Sequence, residues 1–408
     1  MNFVELTEEE YQKFSETISC KNFFQTIMML DRYKKEKQEY YLVGVKKSAT
    51  IVAAALLVVQ GRKILGKRVF TASKGPLLDY QDKELLKYFM TNIKEFINKH
   101  NGYLLYIDPY IVSEERDTDG KIVPNGVNNL HVKKELIDLG CQYIGEHIQV
   151  KWNYCLDING LSSAEIFKTF KPNTRNNINK TLNKYLLNVR KLSYEDLPEF
   201  KKITEDTCAR RGFSDKTLTY YQDMYNSFKN QVVFYICEID LNKYINRLET
   251  ENKENTAKIA ELSDSSSNRN KKIAFKQEID SNIKKIAEAT ALQKDKGNII
   301  PLSAAMFILF GSEIVYLFSG SYDEYMNFCG QYRLQWEIIK YACDHNYQRY
   351  NFYGIKDLFN PQGKDYGVYE FKKGFSGYVE ELLGTFTMPV NLLGNIIIKL
   401  KQILKKNN

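Results

Sequence analysis

At 408 residues, 43% hydrophobic and 13% aromatic, the chain has apolar mass for two or three packed domains, which excludes general disorder. A formal charge of +8 favours anionic partners (nucleic acid, phosphates or an anionic membrane face) without selecting one. Seven scattered cysteines with no C-x-x-C pair and four dispersed histidines argue against a disulfide framework and a metal centre, so neither a metal nor a cofactor is expected.

The polar, acidic start of the chain is unlike a secretory signal, and its most apolar run, residues 51–59, is too short to span a bilayer. The expectation is a cytoplasmic protein. Residues 40–45 and 51–59 read as paired strands, and 68–76 as a strand ending in a Gly-Pro turn. An amphipathic helix is predicted at 85–97, a buried strand at 103–107 closed by Asp108-Pro109, and a helix at 129–139 ending at Gly140. From Trp152 the same order of elements begins again. Residues 163–185 are helical but interrupted by Pro172, followed by a strand at 188–192, helices at 196–211 and 217–230, and a strand at 231–239. Strands at 304–310 and 314–321, a helix at 331–346 and a strand at 349–354 complete the second series. Two successive α/β units of similar length suggest a duplicated fold, although no internal sequence identity supports it.

Between the two halves of the second series lies a different kind of sequence. Ile245, Leu248, Asn252, Asn255, Ile259 and Leu262 form a heptad seam with polar interruptions, and Ile279, Ile283 and Ile286 continue it beyond a Ser/Asn turn. Dense Lys and Glu leave each helix only a narrow apolar stripe, so the two bury each other as an antiparallel hairpin about 30 Å long. Its position, inserted between strands, suggests a large partner such as tRNA; a solvated structural hairpin or a dimer contact fits the same pattern. At the other end of the chain, residues 395–406 pair an Ile/Leu face with a Lys face. Either a docked terminal helix or peripheral contact with the inner membrane face accounts for that.

Several strings together carry a family likeness. Val315-Tyr-Leu-Phe-Ser-Gly-Ser-Tyr, Leu334-Gln-Trp-Glu-Ile-Ile-Lys-Tyr-Ala, Tyr350-Asn-Phe-Tyr-Gly-Ile and Tyr369-Glu-Phe-Lys-Lys-Gly-Phe-Ser-Gly stand in one order with Ala72-Ser-Lys-Gly-Pro and Arg210-Arg-Gly-Phe-Ser-Asp-Lys. The chain resembles the FemABX family from about Phe3 to Phe386, and with its arm it is most similar to the long, MurM/MurN/FemA-like form. The resemblance implies an α/β fold of two tandem GNAT-like domains with an inserted helical-hairpin arm. The expected division is 1–150, with 385–408 as its candidate completion, 151–241 together with 297–384, and 242–296 as the arm.

The resemblance further implies transfer of an amino acid from aminoacyl-tRNA to the stem-peptide amine of a peptidoglycan precursor, lipid-linked or UDP-linked, which builds the interpeptide bridge. That reaction is aminolysis of an activated ester and needs no covalent enzyme intermediate, in keeping with the lack of a Ser/His/Asp or Cys/His signature. By resemblance, Lys372 beside Phe371 is the cation for the oxyanion or the terminal phosphate of the tRNA, with Lys373 able to share the role. Lys34 (or Lys35), Lys216, Tyr220 and the Phe318-Ser319-Gly320 turn fall at the precursor-binding positions. Two of these depart from the family pattern: Lys216 replaces an arginine fork with a point charge, and Phe318 lacks a tyrosine hydroxyl. Arg210 and Arg211 are close enough in sequence to substitute for the missing fork.

Two further candidates come from the residues themselves. Asp108, at a strand end, carries a carboxylate able to accept the amine's proton, or is an ordinary turn residue. Ser73-Lys74-Gly75-Pro76 either offers amides and a lysine to a phosphate or just turns the chain. Two rival functions stay open. An acyl-CoA N-acetyltransferase would need a glycine-rich pyrophosphate loop of a spacing not found here. A non-catalytic precursor-binding or coiled-coil protein would make the Phe371-Lys372 region dispensable.

Overall fold

The computed structural model describes residues 1–146, 149–263 and 265–406, whose strands assemble into two sheets of eight. In the first sheet Asn2–Glu5, Tyr40–Lys47, Thr50–Ile64 and Lys67–Ala72 pair antiparallel in sequence order. Gly102–Ile107 then lies parallel to Lys67–Ala72, reached through the crossover helix Lys83–Lys99. That helix is nucleated by Asp82, whose carboxylate accepts the Leu85 amide, and it buries Leu86, Phe89, Ile93 and Ile97 on one stripe.

The second sheet repeats this grammar. Asn188–Lys191, Val232–Asp240, Ile299–Phe310 and Glu313–Ser321 pair antiparallel in order, and Arg349–Gly354 follows parallel to the last after the helix Gly330–Asp344. The duplication, visible in sequence only as element order, is thus also one of pairing sense. Each sheet takes in a strand from a distant part of the chain, and only the second of these, Val112–Glu115, crosses the expected division. Thr385–Pro389 pairs with Gly102–Ile107 in the first sheet, and Val112–Glu115 pairs with Tyr378–Leu382 in the second. A shared apolar cluster joins the units, with Phe23 of the first edge-on to Phe228 of the second at 6.5 Å between centroids.

The arm leaves the second sheet between Val232–Asp240 and Ile299–Phe310 as two helices, Leu241–Glu261 and Ser266–Lys296. Leu248, Asn255, Asn282 and Ala289 are its buried inner residues beyond the root. One expectation is corrected here: Ile283 is 55% exposed and lies off the seam. Asn282 takes the inward place because its amide donates to the Asn252 Oδ1 of the facing helix at 3.1 Å. A second polar layer forms where Asn255 donates to Glu278 at 3.1 Å. Both asparagines fix the register of the hairpin, as a polar group on a coiled-coil seam does. Among the described residues no helix is long and apolar enough to cross a membrane.

Candidate functional site

The parallel strand pair of the second unit separates almost as soon as it forms. Glu313–Ser321 and Arg349–Gly354 are bonded over only three positions, Glu313 to Val315 against Arg349 to Asn351. The corresponding pair of the first unit is bonded over five. A cavity of about 560 Å³ opens where the strands part, lined by Tyr316 and Phe318 on one side and Phe352 to Gly354 on the other.

Local chemistry explains the parting. The Asn351 side chain accepts the Tyr353 amide at 2.7 Å, and Tyr353 adopts a left-handed φ of 61°, so the strand turns away from the ladder. Opposite, Gly320 lies so close to the helix Leu197–Arg211 that a Cβ there would sit 2.5 Å from the Ile203 carbonyl oxygen. Only glycine permits that approach. Gln331 then pins this strand end by donating to the Gly320 carbonyl at 2.8 Å.

The turned strand presents its carbonyls to Lys372, on the short helix Tyr366–Lys373. The Lys372 ammonium donates to Gly354 O at 2.6 Å and Tyr353 O at 3.3 Å, and lies 6.0 Å from the Tyr316 ring centroid. Its residue is 5% exposed, and among the described residues no carboxylate lies within ion-pair distance. Burial, reinforced by the neighbouring Arg211 guanidinium, pushes its pKa down to about 7. The result is a desolvated amine in the wall of a cavity, held by neutral acceptors and lacking a counter-charge. Lys373, next in sequence, is the opposite case: it pairs with Asp119 at 2.6 Å, a contact that raises its pKa.

The structure brings seven other expected residues to the same cavity: Phe371, Arg210, Arg211, Lys216, Phe318, Ser319 and Gly320. Phe371 packs edge-on to Tyr332 at 4.9 Å and closes the floor beside Lys372. Arg211 stands in the last turn of its helix, 3.5 Å from Asp365. Lys216 is exposed, without a carboxylate partner among the described residues, and its ammonium is 5.4 Å from the Tyr220 ring centroid. Asp215 fixes that turn by accepting from Tyr221 at 2.6 Å, Thr204 at 2.7 Å and the Lys216 amide at 2.8 Å. Tyr220 stands just behind the cavity wall, edge-on to Phe318 at 5.9 Å.

Three expected residues lie elsewhere. Lys34 is tied to Glu8 at 2.7 Å and to Asp31 at 3.4 Å on the first unit. Lys74 and Asp108 pair with one another at 3.2 Å, 1% and 4% exposed, and Lys74 also donates to Val150 O at 2.8 Å. Burial pushes the Asp108 carboxyl up against the pull of Lys74, so the two form an internal pair away from the cavity lining. Sequence reasoning missed the Tyr353 and Gly354 carbonyls, for which no side-chain signal exists. It also missed Arg32, whose guanidinium stacks 4.8 Å over the Tyr220 ring from the first unit. Among the described residues no group of His, Cys, Asp and Glu is arranged to hold a metal ion.

Comparison with known proteins agrees with this architecture. The FemAB family model matches residues 6–406. The aminoacyltransferase FemA of Staphylococcus aureus strain RF122/ET3-1 is 31% identical over 404 residues, 96% of each chain. Among solved structures, FemX superposes with a TM-score of 0.75 at 22% identity, covering 98% of this chain and 99% of its own. A tandem GNAT protein from the clavulanic acid biosynthesis pathway reaches 0.51 at 10% identity, covering 96% of this chain and 98% of its own. These two likenesses concern the fold alone, two tandem GNAT-like units, here with an inserted arm. With a family match along nearly the whole sequence and a curated relative at 31% identity, the chain belongs to the FemAB family.

Proposed function

We propose that this aminoacyltransferase moves an amino acid from aminoacyl-tRNA onto the side-chain amine of a peptidoglycan stem peptide, and that the chemistry takes place in the splayed-strand cavity. One observation carries the assignment of the site: Lys372 is buried in the cavity wall with no acidic partner within ion-pair distance among the described residues. Such an amine is electrostatically unsatisfied, and an incoming phosphate or a developing oxyanion supplies what it lacks.

The reaction then follows from placement. The neutral acceptor amine attacks the ester carbonyl, and negative charge gathers on the carbonyl oxygen. That oxygen takes a hydrogen bond from the Lys372 ammonium, worth roughly 3–4 kcal/mol of barrier on the scale of one oxyanion donor. Collapse expels the ribose oxygen, and the proton lost by the amine ends on that hydroxyl. Phe371 and Tyr332 keep the floor apolar and so sharpen the field of the single cation. Lys216, at the rim with no carboxylate partner among the described residues, takes a phosphate of the precursor as a point charge.

A lipid-linked acceptor agrees with the C-terminal helix Leu392–Lys406, on which Leu392, Ile396 and Leu400 are exposed by 75%, 47% and 54% and Lys399 is exposed as well. Peripheral contact with the inner membrane face belongs to this reading. The two units are read as residues 1–150 with 385–408, and 151–241 with 297–384, with 242–296 as the arm.

The test is transfer itself. Purified protein is incubated with lipid-linked or UDP-linked precursor and tRNAs charged with radiolabelled Ala, Ser or Gly, for wild type and Lys372→Ala. Label entering the precursor, dependent on intact tRNA and strongly reduced in the variant, is the expected result. No transfer from any charged tRNA would overturn the function, and equal transfer by both proteins would overturn the role of Lys372.

A further inference from the structure

Between residues 168 and 184 the chain carries five Lys or Arg residues and no Asp or Glu. They are Lys168, Lys171, Arg175, Lys180 and Lys184, most of them on or beside the helix Pro172–Asn183. Among the described residues none has a carboxylate within ion-pair distance, whereas most other basic residues near the cavity are paired, Arg210 with Asp323 and Lys373 with Asp119. The outgoing helix of the arm, by contrast, balances four basic residues against four acidic ones.

The helix is placed between the two features that matter. At its start the Lys171 amide donates to Gly374 O at 2.9 Å, directly after Lys372 and Lys373. Along one flank Asn177 reaches Tyr332, and Lys180 bears on Cys329, both lining the cavity. At its end Tyr185 packs on Tyr244 of the arm at 5.8 Å. There the Lys184 ammonium faces Lys285 of the return helix. Burial first and Lys184 second hold the Lys285 pKa below the ordinary lysine range, against the opposing pull of Glu251 and Glu278. Two like charges pressed together at a half-buried site are relieved by an anion between them.

We propose that Lys180, Lys184 and Lys285 form a docking ridge for the backbone phosphates of a double-stranded RNA segment, running from the cavity mouth to the arm root. The ridge, not the length of the arm, receives the duplex that follows the single-stranded aminoacyl end. From Lys171 to Lys184 the helix axis covers about 20 Å, a reach of a few phosphates along one strand. Binding of this kind reads shape and charge rather than base sequence, so it suits a donor whose identity is set by its charged end. The inference rests on the aminoacyl-tRNA reading above.

The experiment compares wild type with Lys180→Gln/Lys184→Gln/Lys285→Gln and with an arm variant, Lys253→Gln/Lys271→Gln/Lys276→Gln. Uncharged tRNA is titrated onto each full-length protein, by fluorescence anisotropy, from about 50 to about 300 mM salt. Loss of three phosphate contacts should lower the slope of log Kd against log salt by about 2 to 3 and leave the arm variant near wild type. KM for charged tRNA should rise on the order of tenfold or more at unchanged kcat. Transfer from a short aminoacyl-dinucleotide, which lacks the duplex, should be unaffected. An unchanged slope in the ridge variant, or an equal loss in the arm variant, overturns the ridge. Failure of the wild type to transfer from either donor would instead defeat the proposed reaction, and the salt slopes would still decide where RNA binds.

Discussion

Replacing Lys372 by methionine should disable the protein and make its stability relative to wild type depend on pH. An unfolded lysine takes up its proton near 10.5, whereas in the fold this one does so only at about 7. Between those values the unfolded state holds the extra proton, so wild-type stability rises with pH by about 1.4 kcal/mol per pH unit. The folded pKa is depressed, so this contribution is fully present above the unfolded value. It is lost as pH falls to about 7, where the accumulated cost reaches about 5 kcal/mol. Methionine has no proton to gain and escapes that cost. It leaves the Tyr353 and Gly354 carbonyls without their donor, a penalty of about 1–3 kcal/mol each that does not vary with pH. The stability of the variant relative to wild type should therefore be highest at about pH 7 and fall by about 1.4 kcal/mol for each unit towards pH 10. Urea unfolding of both proteins at about pH 7, 8 and 9 measures it, and shared cysteines and tyrosines cancel in the difference. A stability difference that stays constant across this range would refute the claim that burial holds the amine down. The same variant should lose about 10²–10³ in kcat, the usual consequence of deleting one oxyanion donor.

Three other outcomes follow from the placement of the expected residues. Lys74→Met strands the buried Asp108 carboxylate and should destabilise by about 3–5 kcal/mol in thermal or urea unfolding, with transfer per folded molecule unchanged; a selective loss of kcat would return this pair to the active site. Lys216→Ala should raise KM for the precursor about tenfold at constant kcat, since it removes one charge-assisted contact at the rim; steady-state kinetics in precursor concentration decides it. In the arm, Leu248→Ala should cost about 2–5 kcal/mol of local stability and Ile283→Ser less than about 0.5, read by hydrogen exchange of the hairpin amides.

Much of this fold is legible in the sequence because its apolar residues mark its elements. The helix at 85–97 carries a hydrophobic period that only a helix satisfies, and the unbroken apolar run at 103–107, short and closed by Asp108-Pro109, reads as a strand buried on both faces. The arm shows where that logic ends. Ile279, Ile283 and Ile286 and the observed inward set Ile279, Asn282 and Ile286 fit heptad spacing equally well, and only the Asn252 partner on the other helix decides between them. The cavity is a harder case, since it arises from three bonded positions where its counterpart has five, and from a tyrosine in left-handed backbone, neither of which leaves a periodic trace. Lys372 and Lys373 make the point most sharply. In the sequence they are a basic doublet of the kind that covers a solvated helix end, and resemblance alone singles out the first. On a helix, successive residues point about 100° apart, so the doublet is divided between two environments. Lys373 turns outward to Asp119, while Lys372 turns inward to two backbone carbonyls and meets no acid among the described residues. Nothing about lysine as a residue type distinguishes them; the turned strand at Tyr353 does, by offering carbonyls where a core would ordinarily offer either a carboxylate or nothing polar. The reactive property of the site therefore belongs to the backbone of one strand as much as to the side chain on the helix. A substitution at Tyr353 that straightens that strand should disarm Lys372 without touching it.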